Sequence, residues 1–288
     1  MVAKMKWHVI SDSVRGASHI RNGLPNQDAV IRHPDPDSGL PIIMAVSDGH
    51  GSRKSFRSDR GSKFAVETAL ETIKEFVRCQ PGDNFTGVKR IAEEQIPKEI
   101  VKRWKQRVRA DIRGCKDLEC VDNPFIAYGA TLLTVLVTES FIICFQLGDG
   151  DILTVWENDE VERPVPKDDR LFANETTSLC TKEAWRDFRF RFQMIADSPP
   201  KLILLATDGY ANSFRDDESF MRVGSDIWHI IESEGPDFIR KNLGNWLNEA
   251  TQAGSGDDIT VGLICRQNTD NLREYKHFRI PLWIACPV

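Results

Sequence analysis

The chain has few of the features that mark secreted, membrane-bound or nucleic-acid-binding proteins. Its 288 residues contain no apolar run of membrane-spanning length, and its first residues lack the apolar core of a signal peptide. Lys and Arg number 38 against 43 Asp and Glu, a net charge of −5, so no basic excess attracts nucleic acid. The 7 cysteines are scattered, and Cys115 and Cys120 have no second pair nearby, which argues against zinc. We therefore expect a reduced, cytoplasmic protein without a membrane or nucleic-acid partner.

Four aspartates stand beside strongly apolar runs, and they are the most informative feature of the sequence. Asp48 follows residues 42–47, Asp149 follows 141–148, Asp208 follows 202–207, and Asp257 precedes 259–265. Such runs are typical of buried strands, so each carboxylate is expected at the rim of a sheet. Carboxylates gathered at one rim repel each other unless a cation neutralises them, and Mg²⁺ and Mn²⁺ prefer oxygen ligands. The pattern predicts a site for divalent cations.

A simpler interpretation of these aspartates stays open at this point. Asp48-Gly49, Asp149-Gly150 and Asp208-Gly209 are Asp-Gly pairs after a strand, which is also the strongest short signal for a β-hairpin. For Asp149-Gly150 a turn is expected in either case, because residues 151–156 resume a strand at once.

The segments around these aspartates resemble the protein phosphatase 2C family of metal-dependent serine/threonine phosphatases. In the family's order they are Asn26-Gln27-Asp28-Ala29, Ser47-Asp48-Gly49-His50-Gly51-Ser52, Gly129-Ala130-Thr131, Leu147-Gly148-Asp149-Gly150, Ala206-Thr207-Asp208-Gly209 and Ser255-Gly256-Asp257-Asp258-Ile259-Thr260. The boxes extend over nearly the whole chain, which favours a single domain covering residues 1–288. The stretch 16–28 is most similar to a bacterial-type branch of the family.

The hydrophobic pattern and the resemblance lead to one fold class, α+β. Strand-like runs joined by short turns indicate antiparallel sheets, and the resemblance implies two packed antiparallel β-sheets flanked by helix pairs, with metals in a cleft at one end. Strands are predicted near 7–13, 28–33, 42–47, 131–138, 141–147, 151–157, 188–195, 202–207 and 258–266. Helices are predicted at 62–78, 88–113 with an interruption at Pro97, 216–233 and 236–251. Residues 159–187, rich in charge and proline, are predicted to form a flap beside the cleft.

The resemblance also implies roles for the acidic residues. Asp48 would bridge two Mn²⁺ or Mg²⁺ ions, and the Gly49 carbonyl would be a further ligand, since a residue without Cβ lets the backbone approach the ion. Asp208 and Asp257 would complete the first metal site, and Asp28 would orient metal-bound waters. Two ions held in this way turn water into hydroxide and neutralise the phosphoryl oxygens.

Proton transfer and phosphate binding are assigned to side chains near these boxes. His50 follows the bridging aspartate and would protonate the leaving alkoxide, although a satisfied polar role in a glycine-rich loop is equally compatible with its position. The family's phosphate-binding arginine has two counterparts here. Arg21 lies five residues before Asn26, and His19 is at the position that a count from Gly16 gives. A solvated loop arginine is the alternative for Arg21.

Two departures from the family pattern bear on the metals. Gln27 replaces the usual Glu, which removes one negative charge beside the second ion and predicts weaker affinity there. Asn212 replaces an Asp that would share a third ion with Asp149, so the third ion is in doubt.

The resulting hypothesis is a protein serine/threonine phosphatase in signalling. It would be a monomer that hydrolyses phosphoserine and phosphothreonine through a metal-bridged hydroxide. Its partner would be a phosphoprotein substrate, such as a serine/threonine kinase or its targets. Two alternatives are a phosphatase-like binding or scaffold protein with weak or no turnover, and a two-metal nuclease, which the acidic charge disfavours.

Overall fold

Two five-stranded antiparallel sheets lie at the centre of the structure. It is a computed structural model that describes residues 5–34, 39–79, 84–113, 115, 118, 122–168, 176–196 and 198–268. The first sheet has the order β1 (Met5–Val14), β10 (Ile259–Asn268), β9 (Leu202–Ala206), β6 (Asp151–Val155) and β7 (Val161–Glu162). The second has the order β2 (Ala29–His33), β3 (Ile42–Ser47), β4 (Leu132–Val137), β5 (Phe141–Leu147) and β8 (Arg189–Met194).

The two sheets pack face to face, and each carries helices on its outer face. Between the sheets, Met44 and Val135 of the second sheet belong to one apolar cluster with Ile203 and Ile264 of the first. The long helices are α2 (Ser58–Arg78), α3 (Phe85–Ile112), α5 (Asp217–Glu234) and α6 (Pro236–Ala253), and the short ones are α1 (Ala17–Asn22) and α4 (Asp208–Ala211). Helices α2 and α3 share a core with the second sheet, and α5 and α6 share one with the first.

Burial on both faces explains why the central strands are predominantly apolar. Every residue of β3, β4, β5, β6 and β9 is buried, as expected for strands between another sheet and a helix layer. The predicted fold class is confirmed. All nine predicted strands are present with ends within two residues of the prediction, and β7, α1 and α4 were not predicted.

The interruption predicted at Pro97 is wrong, because α3 continues through this residue for 28 residues. A proline inside a helix loses one backbone hydrogen bond and costs about 3 kcal/mol. On its C-terminal side, Ile100 and Trp104 are fully buried, and the Trp104 indole donates a hydrogen bond of 2.9 Å to the Gly61 carbonyl on α2. Burial of such side chains contributes about 1.5–3 kcal/mol each, which offsets the proline cost.

None of the three Asp-Gly pairs forms a β-hairpin, so that interpretation is wrong. Asp149-Gly150 connects β5 in one sheet to β6 in the other, with Gly148 at a φ of 102° that glycine tolerates. Asp208-Gly209 begins α4, and Asp48-Gly49 leaves β3 on the way to α2. Each pair therefore ends a buried strand at a place where the chain changes layer.

Residues 159–187 lie only partly within the described structure. Val161–Glu162 forms the edge strand β7, a short 3₁₀ helix covers Ala184–Arg186, and the residues 169–175 at the centre of the predicted flap lie outside the described residues. The flap and the single domain covering 1–288 stay predictions. In the part of the chain that the structure describes, no helix is both long and apolar enough to cross a bilayer.

Candidate metal centre and active-site cleft

The strand ends that carry the aspartates meet at one end of the two sheets. In the second sheet, Ala29 pairs with Ser47 and Leu132 pairs with Leu147, so Asp28, Asp48 and Asp149 follow one another along one edge. In the first sheet, Ala206 pairs with both Val261 and Asp151, which places Asp208 and Asp257 at the matching edge. Because the chain passes between the sheets at residues 148–150, the two edges face each other.

Three of the carboxylates form a tight group at this end. One oxygen from each of Asp48, Asp149 and Asp208 lies within 4.8 Å of the others. The group lies in a cleft of about 980 Å³. The cleft is lined by Asp48, Gly49, His50, Gly51, Ser52, Ser55, Asp149, Asp151, Lys167, Thr176, Asp208, Ala211, Asn212 and Asp257.

Burial and mutual repulsion raise the pKa values of these carboxyl groups when no cation is bound. Burial raises the pKa of Asp48 well above its ordinary value, and the charges of Asp28, Asp208 and Asp149 raise it further. Burial and the charge of Asp149 raise the pKa of Asp208 to about 6. Burial raises the pKa of Asp28 to about 8, against the effect of hydrogen bonds to Thr260 and Thr207. A hard divalent cation would reverse these shifts, so the oxygen donors fit Mn²⁺ or Mg²⁺.

Gly49 is packed against backbone on two sides. A Cβ at this position would lie 2.5 Å from the Gln27 carbonyl oxygen and 2.7 Å from the Ser58 carbonyl oxygen, so no larger residue fits without movement. A Cβ at Gly51, by contrast, meets nothing closer than 3.5 Å. The close packing fixes the backbone that follows Asp48.

Two threonines hold the aspartates in place, and no role was predicted for either. The Asp48 N–H donates to Thr131 Oγ1 at 3.0 Å, and the Thr131 N–H donates to the Asp48 carbonyl at 2.8 Å. The Thr207 hydroxyl donates to Asp28 Oδ2 at 2.8 Å, and the Thr260 N–H donates to Thr207 Oγ1 at 2.9 Å. Thr207 directly precedes Asp208, which was the available signal for it in the sequence, whereas Thr131 has no acidic neighbour there.

Asp257 lines the cleft, but its carboxylate lies beside His19 and not within the tight aspartate group. Its Oδ1 is 3.4 Å from His19 Nε2, whereas Asp149 belongs to the tight group with Asp48 and Asp208. The charge of Asp257 still contributes to the raised pKa values of Asp48 and Asp208. All four aspartates singled out in the sequence therefore reach one cleft.

His50 lies at the cleft wall with its backbone held in place. Its N–H donates to the Gly129 carbonyl at 3.0 Å, and a Cβ at Gly129 would lie 2.5 Å from the imidazole Cδ2. Burial lowers the pKa of His50, and the charge of Asp149 opposes this effect. The imidazole is therefore neutral at pH 7 and faces an acidic cleft.

The two candidates for phosphate binding have different positions. Arg21 is exposed on α1 and is not among the described residues that line the cleft. His19 is buried, and its two ring nitrogens face Asp258 and Asp257. Lys167 is the basic residue among the described residues that line the cleft, and its Nζ lies 2.7 Å from Asp217 Oδ1. Lys167 falls in the segment predicted to be irregular, and no signal in the sequence singled it out.

The two departures from the family pattern are both beside the carboxylates. The Gln27 side chain is buried, and its Oε1 has no hydrogen-bond partner among the described residues. The Asn212 amide donates a hydrogen bond of 3.0 Å to Asp208 Oδ2, so it is a neutral donor in the place of an additional carboxylate.

Two antiparallel sheets covered by helix pairs, with an acidic cleft at one end, define the class of phosphatase 2C-like folds. A family model described as "Protein phosphatase 2C" matches residues 15–248, and the chain belongs to this family. A search of curated proteins found no match.

Solved structures with the same fold include bacterial serine/threonine phosphatases. The catalytic domain of PstP, in complex with two manganese ions, is 16% identical with a TM-score of 0.55, over 91% of this chain and 99% of that chain. Stp1 from Staphylococcus aureus is 14% identical with a TM-score of 0.55, over 92% and 95%. PppA, a regulatory component of the type VI secretion system in Pseudomonas aeruginosa, is 17% identical with a TM-score of 0.54, over 92% and 100%. These likenesses concern the fold.

Proposed function

We propose that this chain is a metal-dependent protein serine/threonine phosphatase that uses two Mn²⁺ or Mg²⁺ ions. The observation that carries the proposal is the tight group of Asp48, Asp149 and Asp208, whose oxygens lie within 4.8 Å of one another in a cleft. Burial and the neighbouring aspartates raise the pKa values of Asp48 and Asp208, and a bound cation would offset this repulsion. The substrate would be a phosphoprotein in cytoplasmic signalling, such as a serine/threonine kinase or its targets.

The residues that would hold the ions are those that the resemblance to the family assigns. Asp48 would be the shared ligand, with the Gly49 carbonyl, Asp208 and Asp257 as further ligands, and Asp149 is placed to assist or to hold a third ion. When bound, the ions supply an activated water as nucleophile and neutralise the phosphoryl oxygens. The two manganese ions in PstP support this assignment by family membership.

The remaining roles belong to side chains of the protein itself. Asp28, fixed by the Thr207 hydroxyl, would orient a water in the cleft. His50 would transfer a proton to the leaving serine or threonine oxygen. Because burial lowers the pKa of His50, this role requires the ring to take up a proton when the phosphorylated substrate is bound. Arg21 and His19 stay the predicted phosphate-binding residues.

A phosphatase-like binding or scaffold protein is the competing function. Gln27 and Asn212 favour it, since each places an amide where a carboxylate would strengthen cation binding. Retention of Asp48, Asp208 and Asp257 favours the enzyme, because a scaffold has no need of mutually repelling carboxylates in one cleft.

Hydrolysis of p-nitrophenyl phosphate by metal-stripped protein tests the proposal. We expect activity on addition of Mn²⁺, loss on addition of a chelator, and loss in Asp208→Asn. Asp237→Asn is the matched control, because Asp237 is an exposed aspartate on α6 whose side chain is 91% exposed. A folded protein that takes up Mn²⁺ without hydrolysing the ester would support the scaffold instead.

Calorimetry supplies an independent test of the metal assignment. Titration of the metal-stripped protein with Mn²⁺ should reveal at least two sites. No uptake, or uptake at a single site, would contradict the two-ion assignment.

A further inference from the structure

Helix α3 carries a row of basic side chains along one face. The members of this basic row are Lys98, Lys102, Lys105 and Arg109. Spacings of four, three and four residues place side chains above one another on a helix, and the row is about 16 Å long. Lys105 is half-buried, and the other three side chains are exposed.

The C-terminal end of the basic row is crowded with positive charge. Lys105 Nζ lies 5.7 Å and Arg109 Cζ lies 5.3 Å from the centre of the Phe125 ring. Burial lowers the pKa of Lys105, Cys180 opposes this effect, and the charge of Arg109 adds to it. Because two cations at one ring repel each other, an anion placed between them stabilises both.

The other end of the basic row has the same arrangement. Lys98 Nζ lies 4.8 Å and Arg186 Cζ lies 5.0 Å from the centre of the Trp185 ring. Arg186 also pairs with Glu183 at 3.0 Å, but an exposed pair of this kind contributes little, so a carboxylate of a partner can replace it. Among the residues that the structure describes, Lys98 and Arg109 form no ion pair.

Exposed apolar side chains connect the C-terminal end of the row to the cleft. Ile126, next to the Phe125 ring, is 37% exposed, and Phe56 is 51% exposed. The Arg57 N–H donates to the Ala127 carbonyl at 2.8 Å, which brings the two segments side by side. The residue before Phe56 is part of the cleft lining. Large apolar side chains exposed beside a cleft are typical of a surface that binds a partner.

Polar contacts tie the segment after the cleft to the same end of α3. Arg57 Nη1 lies 3.6 Å from Asp111 Oδ2, and Asp111 follows Arg109 by two residues on α3. The Tyr128 hydroxyl donates to the same carboxylate oxygen at 2.6 Å. The basic row, the apolar pair Phe56 and Ile126, and the rim of the cleft therefore form one continuous surface.

The charge and length of this surface fit a short acidic peptide. Arg53 and Lys54 are exposed beside the cleft and add to its positive charge. An extended peptide rises about 3.3 Å per residue, so about five residues span the row. A long polyanion such as RNA fits less well, because the net charge is −5 and carboxylates of α2 border the row at Glu67, Glu71 and Glu75.

We propose that the basic row, together with Phe56 and Ile126, is a docking surface for an acidic segment of the phosphoprotein substrate. The acidic segment lies along the row, and an apolar residue between it and the phosphorylated residue contacts Phe56 and Ile126. The inference deepens the proposed function and rests on it, since the partner is the substrate of the same cleft.

Fluorescence anisotropy with a labelled peptide of about six glutamates measures docking without reference to activity. The protein is kept metal-free, so that the peptide has no cations to bind in the cleft. We expect Lys98→Gln combined with Arg109→Gln to weaken binding about fivefold. Lys89→Gln combined with Arg90→Gln is the matched control, because both positions are exposed on α3 outside the row, and it should leave binding unchanged. If the first pair does not fold, Lys102→Gln takes its place.

Turnover of phosphothreonine peptides gives a second readout. One peptide has leucine and then glutamates on both sides of the phosphothreonine, and the other has glutamines in place of the glutamates. We expect the row variant to raise KM for the acidic peptide about fivefold at unchanged kcat and to leave KM for the neutral peptide unchanged. Phe56→Ser should raise KM for both peptides and leave hydrolysis of p-nitrophenyl phosphate unchanged.

Each outcome supports or overturns the inference. Equal KM values for the two peptides in the wild type overturn it, and so does equal weakening of anisotropy binding in the row variant and the control. An oligouridylate that binds more tightly than the glutamate peptide, and loses this binding in the row variant, assigns the row to nucleic acid and also overturns it. Failure to hydrolyse any phosphopeptide overturns the proposed function, and the anisotropy result then still decides whether the row binds an acidic peptide.

Discussion

Gln27→Glu tests how this chain binds its cations with one carboxylate fewer than its relatives. The new carboxylate would replace an amide oxygen 3.5 Å from the Cβ position of Gly51, a residue that lines the cleft. At an effective dielectric constant of about 20, a unit negative charge about 8 Å from a divalent cation interacts by about 4 kcal/mol. The neighbouring carboxylates and the cost of burying a new charge reduce this gain to about 1.4 kcal/mol, a tenfold tighter Mn²⁺ affinity.

The assay is a metal-activation curve of each protein, measured side by side. We expect Gln27→Glu to reach half-maximal activity at about one tenth of the wild-type Mn²⁺ concentration, with little change in kcat at saturating metal. Its metal-free form should melt at a lower temperature, since Gln27 is buried and the added charge has no partner there, and Mn²⁺ should restore the Tm. Gln106→Glu, at an exposed position on α3, controls for net charge. Superimposable activation curves would place Gln27 outside the reach of the ions and refute the reasoning.

Three further predictions concern the ligands, the backbone and the surface of the molecule. Asp48→Asn should reduce kcat to a small fraction of the wild-type value while circular dichroism shows a folded protein, and substantial remaining turnover would show that its role is misassigned. Gly49→Ala should lower the free energy of unfolding by about 2 kcal/mol, because its Cβ would meet two backbone carbonyls at 2.5 and 2.7 Å. Gly51→Ala, the control, should be tolerated. Equal effects of the two substitutions in denaturant titrations would contradict this prediction. Burial raises the pKa of Asp226 from 3.8 to about 6, so its carboxylate destabilises the fold above pH 6. Asp226→Asn should therefore increase stability at pH 7 by about 1 kcal/mol, reduced for half-burial, and this gain should vanish as the pH falls from about 6 to about 4. Asp217→Asn should have the opposite sign, since hydrogen bonding to Arg163 lowers the pKa of Asp217 to about 2, and chemical denaturation at pH 7 and 4.5 checks both variants.

The strands and the acidic cleft were predictable because each depends on a local pattern. A strand buried on both faces is almost entirely apolar, as β3 and β9 are, and the first charged residue after it then marks the end of the strand. Asp48 and Asp208 occupy such positions. The segments around these aspartates resemble the family, and this resemblance predicted that the strand ends converge on one site.

Features that depend on distant residues were not predictable from these patterns. The six-residue helix α1 is held by bonds to the other end of the described chain, where the Ser18 N–H donates to the Gly256 carbonyl and the Gly16 N–H donates to Asp258. Periodicity over six residues is too short to indicate such a helix. The environment of His19 arises from the same contacts.

Local signals also left the connections undetermined. An Asp-Gly pair between two strands indicates a change of direction, but it does not say whether the next strand joins the same sheet. At Asp149-Gly150 the chain crosses to the other sheet, and this crossing brings Asp149 to Asp48 and Asp208. Pro97 is a similar case, since its local preference against helix is outweighed by the burial of Ile100 and Trp104.

The most direct test of the proposed phosphatase is release of inorganic phosphate from phosphoserine and phosphothreonine peptides by metal-stripped protein. We predict release only after Mn²⁺ is added, abolition by a chelator and recovery with excess Mn²⁺. A folded protein that binds two Mn²⁺ ions and releases no phosphate from any of the peptides would contradict the account.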